Sequence, residues 1–394
     1  MLLLAVAGPL EQSPRMVTHA LNAAKMGLHV SLVGYMGSAP ERTRNVDLIT
    51  VQAIREPRRH GLWRPLDWAL RAAMLTMRFA MQFCTEVPTS ILIQNPPGLP
   101  LILAAVVCRW YSWFRYGVKP DIIVDWHNLG WTIAQVPHGF TFPVRCLRWL
   151  EYLAARLAQK HLAVSEALQC HLEELGFEVT VVYDRPYKPS TPTASREEIC
   201  NRIIGDWSAP DDVGKPRRQR WLTFTSPRVF VMGSSFTVDD RWDLLTDALA
   251  LLDRPTLVVL TGRGPGLPDA RTRFASLGNP NVNVKFGYLS FDDYLALLYS
   301  ADCGLCLHDS TSGLDLPMKM VDMLACNLPV IAWDYPALTE LARLAPDSVF
   351  RIRNAKSLAE AMSSEFTKPQ VAFPDSTDEF RRSILPLVTF EALA

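Results

Sequence analysis

Leu257-Val-Val-Leu-Thr261-Gly262-Arg263-Gly264-Pro265-Gly266 decides the fold class. The first five residues are a short apolar, β-branched run with no polar alternation, as in a strand buried on both faces. Glycines then let the backbone turn and approach a ligand closely. A helical pattern follows at 269–277. Strand, glycine-rich turn and helix in that order are the repeating unit of a parallel sheet covered by helices. The same alternation extends outward. Further strands are expected at 229–232, 282–286, 304–307 and 330–333, with helices at 242–252, 291–300, 318–326 and 338–344. Upstream, strands are expected at 2–7, 29–33, 46–54, 90–94, 122–125, 162–164 and 179–183. Helices fit at 14–27, 67–84, 99–116, 143–160 and 165–176, the first with Ser13 as N-cap before Pro14.

Between the two series the texture changes. Pro186, Pro189, Pro192, Pro210, Pro216 and Pro227 fall within residues 184–227, where Ser195 and Glu198 could cap one short helix. Lys215-Pro-Arg217-Arg218-Gln-Arg220 in this stretch reads as a solvated loop or as a patch for anionic lipid. The expected organisation is an N-terminal Rossmann-like domain at 1–183, a proline-rich linker at 184–227 and a C-terminal Rossmann-like domain at 228–370. A tail at 371–394 would pack back on the first domain. Both domains are α/β and doubly wound, with a cleft expected between them.

The chain has 394 residues, long enough for two or three domains. Forty basic and forty acidic residues cancel, so the net charge offers no reason to expect nucleic acid. Eight scattered cysteines suggest reduced thiols rather than a disulfide scaffold. No apolar run reaches the ~18 residues of a membrane span. Met1-Leu-Leu-Leu-Ala-Val-Ala7 lacks the basic flank of a signal peptide and reads as a buried strand.

In doubly wound sheets ligands bind beyond the carboxyl ends of the strands, so four loops carry the candidate chemistry. In the first, Arg263 and Gly264 offer a planar cation and bare backbone to a phosphate. The second runs His308-Asp-Ser310-Thr311-Ser312-Gly313-Leu314-Asp315-Leu316-Pro317-Met318-Lys319. Ser310, Ser312 and Gly313 could present hydroxyls and N–H groups to a diphosphate. Lys319 lies in the first turn of a helix, where a cation opposes the dipole unless an anion sits between them. Asp322, one turn on, could accept from ribose hydroxyls. The third loop, Asp125-Trp-His127-Asn128, joins a carboxylate, an imidazole and an amide, the types needed for a general base and sugar recognition. The fourth holds Ser13 and Arg15, again a cation near a helix start. Cys303 and Cys306 have CxxC spacing without the rest of a zinc site and read as core residues.

The His308 to Met323 run resembles the signature of the chitobiosyldiphosphodolichol β-mannosyltransferase family. So do Ser13-Pro-Arg-Met16, Val33-Gly34-Tyr35, Gln94-Asn-Pro-Pro-Gly98, Asp125-Trp-His-Asn128, Val182-Tyr-Asp184-Arg-Pro186 and Thr261-Gly-Arg-Gly-Pro265. The resemblance implies a GT-B fold, GDP-mannose as donor, and inverting transfer of a β-1,4-mannose to GlcNAc₂ on dolichyl diphosphate. It also implies the cytosolic face of the endoplasmic reticulum membrane, and it admits other mannosyltransferases of the pathway as partners. Arg263, Gly264, Ser310, Ser312, Gly313, Lys319 and Asp322 would then bind the donor. Asp125 or His127 would be the base, with Ser13, Arg15 and Asn128 on the acceptor side. No metal site or cofactor is evident from the sequence. Gly8-Pro9-Leu10-Glu11-Gln12 departs from the family's Gly-Asp-x-Gly-Arg loop, and only Asp322, with Asp315 as a loose stand-in, answers the two glutamates of wider GT-B enzymes. Two rival readings are a non-catalytic scaffold of the same fold and a sugar-nucleotide enzyme with another acceptor.

A lipid-linked acceptor requires a membrane surface. Two segments mix aromatics with arginines as headgroup-level helices do. One holds Trp63, Trp68, Phe79 and Phe83 with Arg64, Arg71 and Arg78. The other, at 99–119, ends in Arg109, Trp110, Tyr111, Trp113, Phe114, Arg115 and Tyr116. Peripheral docking through at least one of them is expected, against the alternative that both are ordinary covering helices.

Overall fold

A computed structural model describes residues 1–35, 37, 40–57, 64–186, 194–205, 227–237 and 239–389. Trp63 and the basic stretch at 215–220 lie outside these residues. The chain divides into two compact units, Met1–Asp184 with Pro374–Ala394, and Arg185–Phe373.

The first unit contains β1 (Leu2–Pro9), β2 (Val30–Tyr35), β3 (Ile49–Ile54), β4 (Ser90–Asn95), β5 (Asp121–Trp126), β6 (Lys160–Ala163) and β7 (Val179–Val181). They form one sheet in the order β3-β2-β1-β4-β5-β6-β7, and every pairing is parallel. Leu2 to Val6 are all buried, because the central strand has helices on both faces. One face packs Leu2, Leu4, Leu92, Ile123 and Leu162 against Met16, Val17 and Ala20 of helix Pro14–Lys25. Phe380 and Ile384, from the far end of the chain, complete this cluster. Lys160 Nζ donates to Leu387 O at 2.7 Å, and Thr389 N to Ser90 Oγ at 2.9 Å, so the end of the chain runs along the first sheet. Helices Arg64–Phe83, Leu99–Tyr116 and Phe142–Ala155 pack side by side and contribute nothing to that cluster.

The second unit contains β8 (Arg228–Gly233), β9 (Thr256–Thr261), β10 (Val282–Gly287), β11 (Cys303–Cys306), β12 (Val330–Trp333) and β13 (Val349–Ile352). Their order is β10-β9-β8-β11-β12-β13, again all parallel. In both sheets the order reverses beside the first strand of the unit, which is the switch point where doubly wound sheets bind ligands. Ser195 and Glu198 form the reciprocal cap of helix Arg196–Gly205, with Ser195 N donating to Glu198 Oε2 at 2.8 Å. Cys303 and Cys306 are buried core thiols, and burial pushes Cys306 up to about 11.

Ser13 departs from expectation. It occupies the N-cap position, but its side chain makes no capping bond and donates instead to Pro9 O at 3.3 Å. The helix begins on Pro14, which has no N–H to cap. No helix among the described residues is long and apolar enough to cross a membrane.

Candidate functional site

In the first unit the residues at the ends of β1 and β5 meet in a buried charged array. β5 delivers Asp125, which is fully buried. The first turn of helix Pro14–Lys25 delivers Arg15, 3% exposed. Arg15 Nε and Nη2 donate to Asp125 Oδ2 and Oδ1, both at 2.8 Å, and Nη1 donates to Asp184 Oδ1 at 2.9 Å. The anion that explains a cation at this helix start is therefore a pair of the chain's own carboxylates. Burial opposes ionisation of the Asp125 carboxyl, but Arg15 and His127 overcome it and hold the group well below the usual carboxylate range. A carboxylate so stabilised is a weak proton acceptor. Of the two candidate bases, Asp125 is thus the poorer.

His127 lies just past β5. Its Nε2 is 3.3 Å from Asp125 Oδ2 and its side chain is 20% exposed. A carboxylate behind a partly exposed imidazole fixes the ring's tautomer and orientation. His19 Nε2 approaches the same oxygen at 3.4 Å from inside the core. Its burial favours the neutral ring. Asn128 turns its side chain back, Oδ1 accepting from Leu129 N at 2.7 Å.

Glu151 adds a second buried carboxylate near the end of β5. It is 4% exposed. Its Oε1 accepts from Asn95 Nδ2 at 3.0 Å and Gly130 N at 2.8 Å, and its Oε2 from Trp131 N at 3.2 Å. Glu151 thus ties the end of β4 to the helix start that follows β5, and it receives the N–H groups of helix Gly130–His138. Burial raises its pKa, and the three hydrogen bonds only partly offset this. The requirement is tight: a Cβ on Gly130 would lie 2.9 Å from Glu151 Oε1. Glu11 is exposed on a short turn after β1.

In the second unit the turns after β8 and β9 lie against each other. Cβ atoms on Gly262 and Gly264 would fall 1.8 Å from Ser234 O and 1.6 Å from Ser235 O. These glycines are required by backbone-to-backbone approach within the chain. Arg263 projects from between them, exposed, its guanidinium 3.8 Å above the Tyr288 ring. Stacking leaves the in-plane N–H groups directed outward, suited to a phosphate.

The loop after β11 organises itself. Ser310 Oγ bonds to Asp315 and accepts from Gly313 N at 2.8 Å, while Ser312 Oγ accepts from Leu314 N at 3.1 Å. Gly313 has φ +73°, which an L side chain rarely adopts. Ser310, Ser312 and Gly313 therefore shape the loop. His308 lies between two carboxylates, Nδ1 3.2 Å from Asp239 and Nε2 3.3 Å from Asp315. Burial disfavours the imidazolium, but the two carboxylates outweigh it and raise the pKa to about 9. Lys319, in the first turn of helix Met318–Ala325, places Nζ 3.0 Å from Asp240 Oδ1 and stays 31% exposed. Asp240 also accepts from Ser234 Oγ at 2.9 Å and Ser235 N at 2.6 Å. Asp322 is half-buried on the same helix as Lys319. The strand ends of β8, β9 and β11 thus gather Arg263, His308 and Lys319, three cationic side chains. Asp239, Asp240 and His308 present ligand atoms within 4.8 Å of one another. Of these, Asp240 already partners the Lys319 ammonium.

Residues 226–366 match the family model for glycosyl transferases group 1. The chain is 32% identical to the chitobiosyldiphosphodolichol β-mannosyltransferase of Mus musculus, over 96% of this chain and 84% of that one. It is 31% identical to the protein of the same name from Yarrowia lipolytica, over 87% and 74%. An Arabidopsis thaliana relative named UDP-glycosyltransferase TURAN is also 31% identical, over 86% and 83%. Among solved structures, Anabaena HepE in complex with UDP and glucose superposes with a TM-score of 0.62 at 17% identity, over 92% of this chain and 88% of that one. A Rickettsia africae glycosyltransferase gives 0.60 at 13% identity, over 92% and 86%. The structural likenesses show the fold, which is of the GT-B glycosyltransferase type.

Proposed function

The chain belongs to the chitobiosyldiphosphodolichol β-mannosyltransferase family, and from that premise we propose that it moves mannose from GDP-mannose onto the GlcNAc₂ of dolichyl diphosphate. Making a β-mannoside from an α-linked nucleotide sugar inverts the anomeric carbon. One in-line displacement accomplishes this, with a base on the acceptor hydroxyl and stabilisation of the leaving diphosphate.

The observation that carries the assignment of roles is the asymmetry between the two partners at the end of β5. Asp125 is fully buried and saturated by Arg15, whereas His127 is partly exposed and backed by Asp125. His127 is the proposed base: with Nε2 on Asp125, Nδ1 would take the acceptor proton. Asp125 positions the ring, and Arg15 fixes Asp125. The donor's diphosphate is assigned to Arg263 and Lys319, with the imidazolium of His308 adding positive potential behind the loop. Those cations perform the charge stabilisation that a metal gives other transferases, so the reading includes no protein-bound metal. The endoplasmic reticulum membrane, where dolichol-linked acceptors reside, is the proposed location.

The test is a transfer assay. Radiolabelled GDP-mannose is offered with GlcNAc₂-diphosphate-phytanol, in parallel with UDP-sugars because one plant relative carries a UDP name. A single mannose added only from GDP-mannose supports the reading. Transfer from a UDP-sugar would overturn the donor, and no transfer from any donor would favour a scaffold.

A further inference from the structure

Twenty of the twenty-four exposed large apolar side chains among the described residues lie between Leu66 and Leu157. They sit on or beside four helices of the first unit, Arg64–Phe83, Leu99–Tyr116, Gly130–His138 and Phe142–Ala155, which pack one against the next. The most exposed aromatics among them are Phe114 at 89%, Phe142 at 76% and Trp149 at 63%. Isolated apolar side chains are normal on a surface, but a run across four neighbouring helices is not.

We infer that this face seats the protein on an anionic lipid surface. Charge selects that occupant over others. The four helices carry only two acidic residues, Asp67 and Glu151, and both are buried. Arg115, Lys119, Arg145, Arg148 and Arg156 are exposed along or beside them. In a chain of zero net charge, these four helices thus expose arginines and aromatics but no acid of their own. A second copy would bring like charges together, which disfavours self-association. The cations are also interleaved with rings: Lys119 Nζ lies 5.1 Å and 5.7 Å from the centroids of Trp110 and Trp113, and the Arg148 guanidinium 5.0 Å from that of Trp131. Aromatic rings at headgroup depth beside cations that reach lipid phosphate are the chemistry of an interfacial surface.

The face is wider than the two segments legible in the sequence, since Phe140, Phe142, Trp149 and Leu153 extend it. Helices Leu99–Tyr116 and Gly130–His138 begin at the loops that carry Asn95 and His127. A membrane on this face would therefore meet the helices that start at the proposed acceptor side.

Vesicle flotation of the full chain tests the inference with neither nucleotide nor acceptor present, so its outcome is independent of the proposed reaction. The vesicles are pure phosphatidylcholine, or phosphatidylcholine with roughly one-third phosphatidylserine. The wild-type chain should float with the anionic vesicles, less at high salt. Trp110→Ser with Trp113→Ser and Phe114→Ser, and separately Phe142→Ser with Trp149→Ser, should each release it. Arg115→Glu and Arg145→Glu should weaken binding by about fivefold or more apiece, because each removes a cation near the surface. Melting temperatures confirm that these exposed substitutions leave the fold intact. No flotation of the wild type, or flotation unchanged in all variants, overturns the inference. So does a dimer in sedimentation that the same substitutions dissolve, which would assign the face to a second copy.

Discussion

The guanidinium of Arg15 closes on Asp125 with two parallel hydrogen bonds, Nε to Oδ2 and Nη2 to Oδ1, each 2.8 Å long. The helix after β1 is thereby locked to the end of β5 by a charge pair with almost no water contact. Such a pair is worth little over an apolar substitute, but removing one partner strands the other charge in the core. The relationship makes Arg15 the organiser of the strand-end cluster.

Arg15→Met should cost about 3–5 kcal/mol at neutral pH, because Asp125 is left buried without its cation. The cost should shrink in acid, and the sign follows from the carboxyl. In the wild type its folded pKa is depressed, so its contribution holds above the unfolded value near ~3.9 and is lost only as pH falls through the lower folded value. In the variant, burial without Arg15 raises that pKa, and protonation relieves the penalty as pH drops from 7 toward 4. Urea unfolding at pH 7 and pH 5 checks this. An equal, sub-kilocalorie loss at both values would mean that the pair is not buried as described.

His127→Ala should lower kcat by about 10²–10⁴ while leaving GDP affinity unchanged, since a base contributes to proton transfer and not to donor binding. Asp125→Asn should lower kcat less and also lower stability, since it leaves Arg15 with one carboxylate instead of two. Steady-state kinetics beside calorimetric GDP titration separates the roles. Full turnover in His127→Ala moves the base elsewhere, with exposed Glu11 the next candidate.

What the sequence made legible follows local chemistry. All seven strands of the first sheet and five of the second fall on segments that read as strands in the sequence, most of them short apolar runs. β13 escaped notice because Val349–Ile352 is a four-residue edge strand with Arg351 exposed. Helix Gly130–His138 was hidden because it has no capping side chain of its own: Glu151, twenty-one residues past Gly130, accepts from its first N–H. The cations at helix starts were visible as anomalies at Arg15 and Lys319. Their partners Asp184 and Asp240 were not, because those contacts are 169 and 79 residues apart in the chain and exist only once the sheets assemble.

Arg263→Ala and Lys319→Ala should each weaken GDP binding about tenfold or more, the value of one charge-assisted hydrogen bond. They should differ in stability. Arg263 is exposed and stacked on Tyr288, so its loss should leave the melting temperature near that of the wild type. Lys319 balances Asp240, whose side chain is 2% exposed, so its loss should lower the melting temperature as well. Calorimetry and thermal denaturation of the pair decide it. Unchanged affinity in both would place the nucleotide away from these loops.

His308 makes the second unit pH-sensitive in the opposite sense to Asp125. Held between Asp239 and Asp315, its folded pKa of about 9 lies above the unfolded value near ~6.5. A raised value on a cationic group means that its stabilisation is fully present below ~6.5 and is lost as pH rises through 9. The span corresponds to roughly 3 kcal/mol at most, at about 1.4 kcal/mol for each pH step between the two values. Unfolding free energy should therefore decline between pH 6.5 and 9 and then level. In His308→Gln that decline should vanish, and the variant should already be destabilised at pH 7, where Asp239 and Asp315 face each other without a cation. The imidazole itself can be followed by NMR titration of the folded protein. A midpoint near 6.5, with a stability profile identical in wild type and variant, would show that the two carboxylates do not hold the ring.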